Sequence, residues 1–151
     1  MSRGRFSCSS RRLALLLAAG LQLVASSSWA ACTLSTSGIA FGGYDPFVNQ
    51  HVDSAANITV TCDETTSYSI ALSTGGGTYD ARVMTSGLHQ LMYNLYIDPT
   101  WSTVWGDGTG QSAPVSDMQT VGNYTVYGRI PARQNAYVGV YSDTIVITVT
   151  F

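Results

Sequence analysis

The chain has 151 residues, with seven arginines, no lysine and nine acids, and a formal net charge of −2. Four of the arginines fall within the first twelve positions; beyond residue 30, Arg82, Arg129 and Arg133 against nine acids leave a formal net charge of −6. Such a surface repels phosphate backbones and anionic headgroups, which excludes nucleic-acid binding and disfavours anionic membranes.

The chain opens with a basic segment (Arg3, Arg5, Arg11, Arg12), an apolar run from Leu13 to Val24 and the small-x-small triplet Ser28-Trp29-Ala30. This is the pattern of a secretory signal peptide over residues 1–30, too short in its apolar part to span a bilayer comfortably. A lipoprotein signal ending at Cys32 is the alternative, and Trp29 stands where such signals want Leu. Cleavage after Ala30 leaves one domain over 31–151, large enough for a real core. It also removes Cys8, so that Cys32 and Cys62 remain as a pair. In an exported protein such a pair is expected to form a disulfide, worth roughly 3–4 kcal/mol for a loop of about thirty residues.

Beyond residue 31 no segment has a helical period. Leu34, Ile39 and Phe41 suggest a first strand broken at Gly38, and Gly42-Gly43-Tyr44-Asp45-Pro46 a turn. Asn57–Cys62 reads as a second strand, Tyr68–Leu72 as a third and Arg82–Thr85 as a fourth. Leu91–Ile97 is the most apolar strand, stopped by Asp98-Pro99. Trp101–Trp105 reads as a short strand, Gln111–Asp117 as a polar loop, and Tyr124–Ile130 as a strand ended by Pro131. The last strand is SDTIVITVTF, in which Ile145, Ile147, Val149 and Phe151 alternate with Thr144, Val146, Thr148 and Thr150. Six to eight short strands without helices predict an all-β fold, an antiparallel β-sandwich. The last strand carries no charge, Lys or Pro from Thr144 onward, so it lacks the usual protections of an exposed edge.

FGGYDP (Phe41–Pro46), ITVTC (Ile58–Cys62), YSIALSTG (Tyr68–Gly75), LMYNLYID (Leu91–Asp98), VWGDGTG (Val104–Gly110) and the terminal YSDTIVITVTF follow one another in an order that resembles the spore coat protein U domain family. Arg82 with Met84, and Cys32 near the start of the domain, complete the likeness. That family includes the pilins of archaic chaperone–usher pili. The resemblance implies an immunoglobulin-like sandwich missing its last strand. A periplasmic chaperone, and then a neighbouring pilin subunit, would fill the gap by β-strand addition, with an outer-membrane usher assembling the fibre. It also implies that Ile145, Ile147, Val149 and Phe151 border the open acceptor groove. A donating subunit needs an extension ahead of its first cysteine, and cleavage after Ala30 leaves only Ala31 there. One residue spans about 3.5 Å, against roughly 17–20 Å for a strand of five or six residues. The expectation is therefore a subunit that accepts a strand but gives none by that route, at the fibre tip.

No constellation for chemistry emerges. His51 and His89 have no Cys or acid at zinc-ligand spacing, so no metal site is expected. Asp107-Gly108 lacks the alternating acids of a calcium loop and reads as a turn, and Gly75-Gly76-Gly77 lacks the Lys and helix of a phosphate loop. No G-x-S-x-G and no carboxylate pair is present. The chain is thus read as a non-enzyme with no cofactor, no small-molecule substrate and no nucleic-acid partner. Alternation turns Tyr93 inward and Tyr96 outward, while Trp101 and Trp105 fit either the core or an exposed patch. The sequons at Asn57 and Asn123 fall in predicted strands. Two functions follow: a structural or adhesive pilus subunit exported through the periplasm to the cell surface, or a self-sufficient secreted β-sandwich that binds carbohydrate or another surface.

Overall fold

The computed structural model describes residues 31–151, and the signal peptide read over 1–30 lies outside them. The described residues contain no helix and eight strands: β1 (Cys32–Thr36), β2 (Val52–Leu72), β3 (Arg82–Ser86), β4 (His89–Tyr96), β5 (Val104–Trp105), β6 (Ser112–Ala113), β7 (Val115–Ile130) and β8 (Ile147–Thr150). All pairings are antiparallel except β5 with β6. The fold is all-β and sandwich-like, and its sheet does not close.

Two long strands organise it. The second and third predicted strands are one strand, β2, whose first half pairs with β1 and with Val121–Ile130 of β7. Its second half pairs with Val115–Gln119 of β7 and with β8. Between them the register shifts, from Thr61↔Val121 to Thr66↔Gln119. Such an irregularity bends and twists a strand, so one strand serves two layers. Alternation survives across it, and Ile58, Val60, Cys62, Tyr68, Ile70 and Leu72 all turn into a single core, joined by Leu91, Tyr93 and Leu95 of β4. The polar stretch 111–117 is not a loop throughout: Ser112–Ala113 and Val115–Asp117 are extended and paired. At Gly122 a side chain would overlap the hydroxyls of Tyr68 and Tyr124, which meet at 2.6 Å.

Trp101 is not in a strand; its φ of 55° is left-handed, and only Val104–Trp105 is extended. Asp98 shapes this turn. Its carboxylate accepts from the backbone N–H groups of Thr100, Ser102 and Thr103 at 3.0, 3.2 and 2.9 Å, and from the Thr100 hydroxyl. The Thr100 hydroxyl is the largest cause, and the N–H groups add to it, in holding the carboxyl well below the usual range. A depressed folded-state pKa stabilises above the ordinary carboxylate range and is lost as pH falls through it. Asp98→Asn is therefore expected to lower the melting temperature at pH 7 and to flatten its decline below about pH 4. A thermal melt series from pH 7 to pH 2 measures both, and parallel curves for the two proteins would contradict the assignment.

Arg82 lies fully inside the fold, with no carboxylate in its hydrogen-bonding shell. Its Nε and one η nitrogen donate to the Ser73 carbonyl at 3.0 and 2.8 Å. The same η nitrogen donates to the Trp105 carbonyl, and the other to Asn94 Oδ1, both at 2.6 Å. Asn94 in turn donates to the Tyr79 carbonyl at 2.7 Å. One guanidinium thus ties the end of β2 to β3, β4 and β5. Burial lowers its pKa from the ordinary arginine value, opposed by Tyr93, Tyr79 and Asp143.

Candidate strand-acceptor groove

A groove of about 1190 Å³ runs along one side of the sandwich. Its floor is core: Ile58, Leu72, Leu91, Leu95, Val126 and Ile130. One wall is Thr36 at the end of β1 and the segment Gly38–Phe47 that follows it; the other is the stretch from Arg133 to Ile147. Both walls have sequence-local causes. Gly38 and Gly42 take φ of 68° and 75°, which turns the first wall away from β2. Ile39 and Phe41 then pack over Gly128, where any side chain would collide with them. The Ser54 hydroxyl donates to the Ala40 carbonyl at 2.6 Å, and the Tyr44 hydroxyl donates to the Pro131 carbonyl at 3.1 Å while accepting from Gln134 N–H at 2.7 Å.

The second wall changes partners along its length. Ser142 exchanges two backbone hydrogen bonds with Thr85 of β3, at 2.9 and 3.1 Å. Four residues later the Val146 carbonyl accepts from Ser73 N–H at 2.9 Å, and Ile147–Thr150 pair with Ser69–Leu72. Asp143 pins the crossing: its carboxylate accepts from Gly76 N–H at 3.0 Å and from the Tyr93 hydroxyl at 2.7 Å. Burial first, and Asp143 second, push the Tyr93 hydroxyl well above the ordinary tyrosine range. Gly75-Gly76-Gly77 is therefore a loop tip bound to a carboxylate of the chain itself. Gln134 caps the other open backbone, donating to the Met92 carbonyl and accepting from Met92 N–H, both at 2.7 Å.

The last strand divides. Ile145 and Ile147 line the groove, and Val149 packs against the core. Phe151 is 62 % exposed and lies at a separate shallow depression with Met118 and Thr150. Regular pairing covers only Ile147–Thr150 of the stretch read as a strand from Ser142. Among the described residues, β1 and β8 each pair on one side only, with β2, and each meets the groove at one end, β1 through Thr36 and β8 through Ile147. Cys32 and Cys62 are joined by a disulfide and stand opposite each other in the β1–β2 register.

The other candidates are dispersed. His89 stacks on Tyr137 with ring centroids 4.1 Å apart, and His51 Nδ1 accepts from Ala132 N–H at 3.3 Å. No group of three or more potential metal ligands occurs among the described residues. Asp107 accepts from Thr109 N–H and hydroxyl at 2.9 and 2.6 Å, which closes its turn. Trp105 is buried, its indole donating to the Ile70 carbonyl at 2.9 Å, whereas Trp101 is half-buried under Arg129, with its indole N–H buried and without a partner among the described residues. Tyr44 and Asp143 fall within FGGYDP and YSDTIVITVTF, but pattern alone gives neither them nor Gln134 a role in the groove. The one usable signal was Asp143, the last charge before an uncharged strand.

The chain is 32% identical to "Protein U" of Myxococcus xanthus over 130 residues, covering 74% of this chain and 70% of that protein. Its fold is similar, at a TM-score of 0.60 and 22% identity, to a chain of the CsuC–CsuE chaperone–tip adhesion subunit pre-assembly complex from the archaic chaperone–usher Csu pili of Acinetobacter baumannii. That likeness covers 82% of this chain and 40% of the solved one, so the present chain spans less than half of its length. The model of the Spore Coat Protein U domain matches residues 18–148, and the chain belongs to that family.

Proposed function

We propose that the groove receives a β-strand from another chain, and that the protein is a non-catalytic structural or adhesive subunit of a surface pilus. The observation that carries this is the apolar groove between the segment that follows β1 and the segment that leads into β8, two strands that pair on one side only. Free main-chain donors and acceptors on an edge give an incoming strand its affinity, and a floor of Ile, Leu and Val selects alternating apolar side chains. Family membership and the fold-level likeness to a subunit complex support this reading. Export to the periplasm, a chaperone that holds the groove until assembly, an outer-membrane usher and a donating neighbour belong to the same proposal. So does the fibre tip, because cleavage after Ala30 leaves a single residue ahead of Cys32.

Periplasmic expression of residues 31–151 tests it. Alone, the chain is expected to aggregate or be degraded; a co-expressed pilus chaperone, or a synthetic peptide of alternating apolar residues, is expected to rescue soluble protein and raise the melting temperature by more than about 10 °C. At saturating peptide such a rise corresponds to roughly 2 kcal/mol or more for a domain of this size. A stable monomer with a reversible melt that ignores the peptide would favour the self-sufficient binding module instead. Labelling of native fibres along the shaft rather than at one end would sink the tip position.

A further inference from the structure

The groove leaves the opposite face of the β1–β2–β7–β4 sheet unused. Cross-strand partners share a face, so pairing register fixes what this one carries. Ser35, Thr59 and Asn123 form one rung; Asn57 and Thr125 form the next. Ala55, Tyr127, Tyr96 and Val104 form the third, and Asp53, Arg129 and the buried Asn94 the fourth. The only two charges in this field neutralise each other. Arg129 pairs with both Asp53 oxygens, at 2.6 and 2.8 Å, and its guanidinium lies 3.5 Å from the centroid of the Trp101 ring. No cation is left over for a phosphate, sulfate or uronate.

The remaining groups are hydroxyls, amides and phenols. The Thr59 hydroxyl donates to Asn123 Oδ1 at 2.8 Å, and the Thr125 hydroxyl to Asn57 Oδ1 at 3.2 Å. Both amides are thereby oriented through their oxygens, and their nitrogens have no partner among the described residues. The hydroxyl oxygens keep lone pairs. The face thus offers donors and acceptors in alternation, matched to a partner made of hydroxyls. It also has relief. Ala55 is exposed and is the smallest residue of the field, set beside the half-buried ring of Tyr127. Asp53 and Asn57 stand two residues to either side of it on the same strand, about 7 Å away each by strand rise. A pyranose ring carries a C–H face and a rim of hydroxyls; the dip at Ala55 gives that face an aromatic wall and gives the rim a carboxylate and an amide.

We propose that this outward sheet face binds a neutral, hydroxyl-rich polysaccharide, with Asn57, Thr125 and Tyr127 as its principal contacts. The formal charge of −6 beyond residue 30 reinforces the choice of a neutral over an anionic polymer. The proposal concerns a surface separate from the groove and does not depend on what fills that groove.

Affinity electrophoresis of the exported chain, with its groove filled by the rescuing strand peptide, in native gels containing soluble starch, galactomannan, mixed-linkage β-glucan or alginate, tests it. Retardation is expected in at least one neutral gel and not in alginate. Asn57→Ala and Tyr127→Ala should each weaken it by about tenfold or more, with melting temperatures lowered by only a few degrees because neither side chain belongs to the buried core. Ala55→Gln, which fills the dip, should do the same if either of those variants folds poorly. Leu88→Ser, in the exposed turn between β3 and β4 and away from both the face and the groove, should leave retardation intact. No retardation by any neutral polymer, stronger retardation by alginate, or retardation that survives all three face substitutions would overturn the proposal. So would a concentration-dependent dimer abolished by Asn57→Ala in a protein that no neutral gel retards, since the face would then join two copies of the chain.

Discussion

Arg82→Met is expected to destabilise the chain by about 3–5 kcal/mol, because it leaves three buried acceptors unsatisfied at roughly 1–3 kcal/mol each. The Ser73 and Trp105 carbonyls and Asn94 Oδ1 would lose the donors that satisfy them. Methionine matches the stem of arginine, so the loss measures hydrogen bonding more than an empty cavity. The figure stays below the sum of four charge-assisted bonds because the substitution also removes the desolvation of a guanidinium, the effect that lowers its pKa in the fold. Arg82→Lys should recover only part of the loss: an ammonium keeps the charge but cannot span three acceptors in one plane. Urea denaturation of the oxidised chain, carried out with its groove filled by the rescuing peptide, reads both variants. A shift under about 1 kcal/mol for Arg82→Met would mean that the network is ornamental to stability.

The second large effect is expected at the staple. Cys32→Ala combined with Cys62→Ala should cost roughly 3–4 kcal/mol, for a loop spanning 30 positions. β1 depends on this bond more than its length suggests. It pairs on one side only, and four of its five residues are exposed. Once released, it would carry the Gly38–Phe47 wall of the groove with it. The double variant is therefore expected to lose strand-peptide binding as well as stability. Midpoints in urea with and without dithiothreitol, and peptide titrations of each form, check the two effects. Equal midpoints and equal peptide affinity would show that β1 holds its place without the bond.

What was legible in the sequence was whatever alternates. Period two in Ile58–Cys62, Tyr68–Leu72 and Leu91–Leu95 gave the core face, and the structure buries those residues. The paired cysteines were equally plain. Continuity was not: Asp63–Ser67 looks like a turn, yet it lies within β2, because a register shift needs polar residues that tolerate mismatch. Ser112–Asp117 looks like a loop because one short stretch is an edge pair and the other lies against solvent on alternate positions. The two tryptophans separate for a reason that pattern does not carry. Trp105 finds a carbonyl for its indole inside, while Trp101 sits where Asp98 gathers three backbone N–H groups. The groove is the least legible part. Its walls depend on Asp143, Gln134 and Tyr44, whose partners lie 40 to 90 positions away in the chain.

The Cys32–Cys62 bond also sets how the protein answers a pull. A chain drawn out by its ends lengthens by about 3.3–3.6 Å for each residue that leaves the fold. The 30-residue separation closed by the disulfide withholds about 100 Å of that extension, because the segment between the cysteines is bypassed by the covalent link. In a single-molecule experiment that pulls on residues 31 and 151, tension passes through sulfur to Cys62 and into the second half of β2, which is paired with β8. Residues 33–61, with one wall of the groove among them, stand outside the line of force.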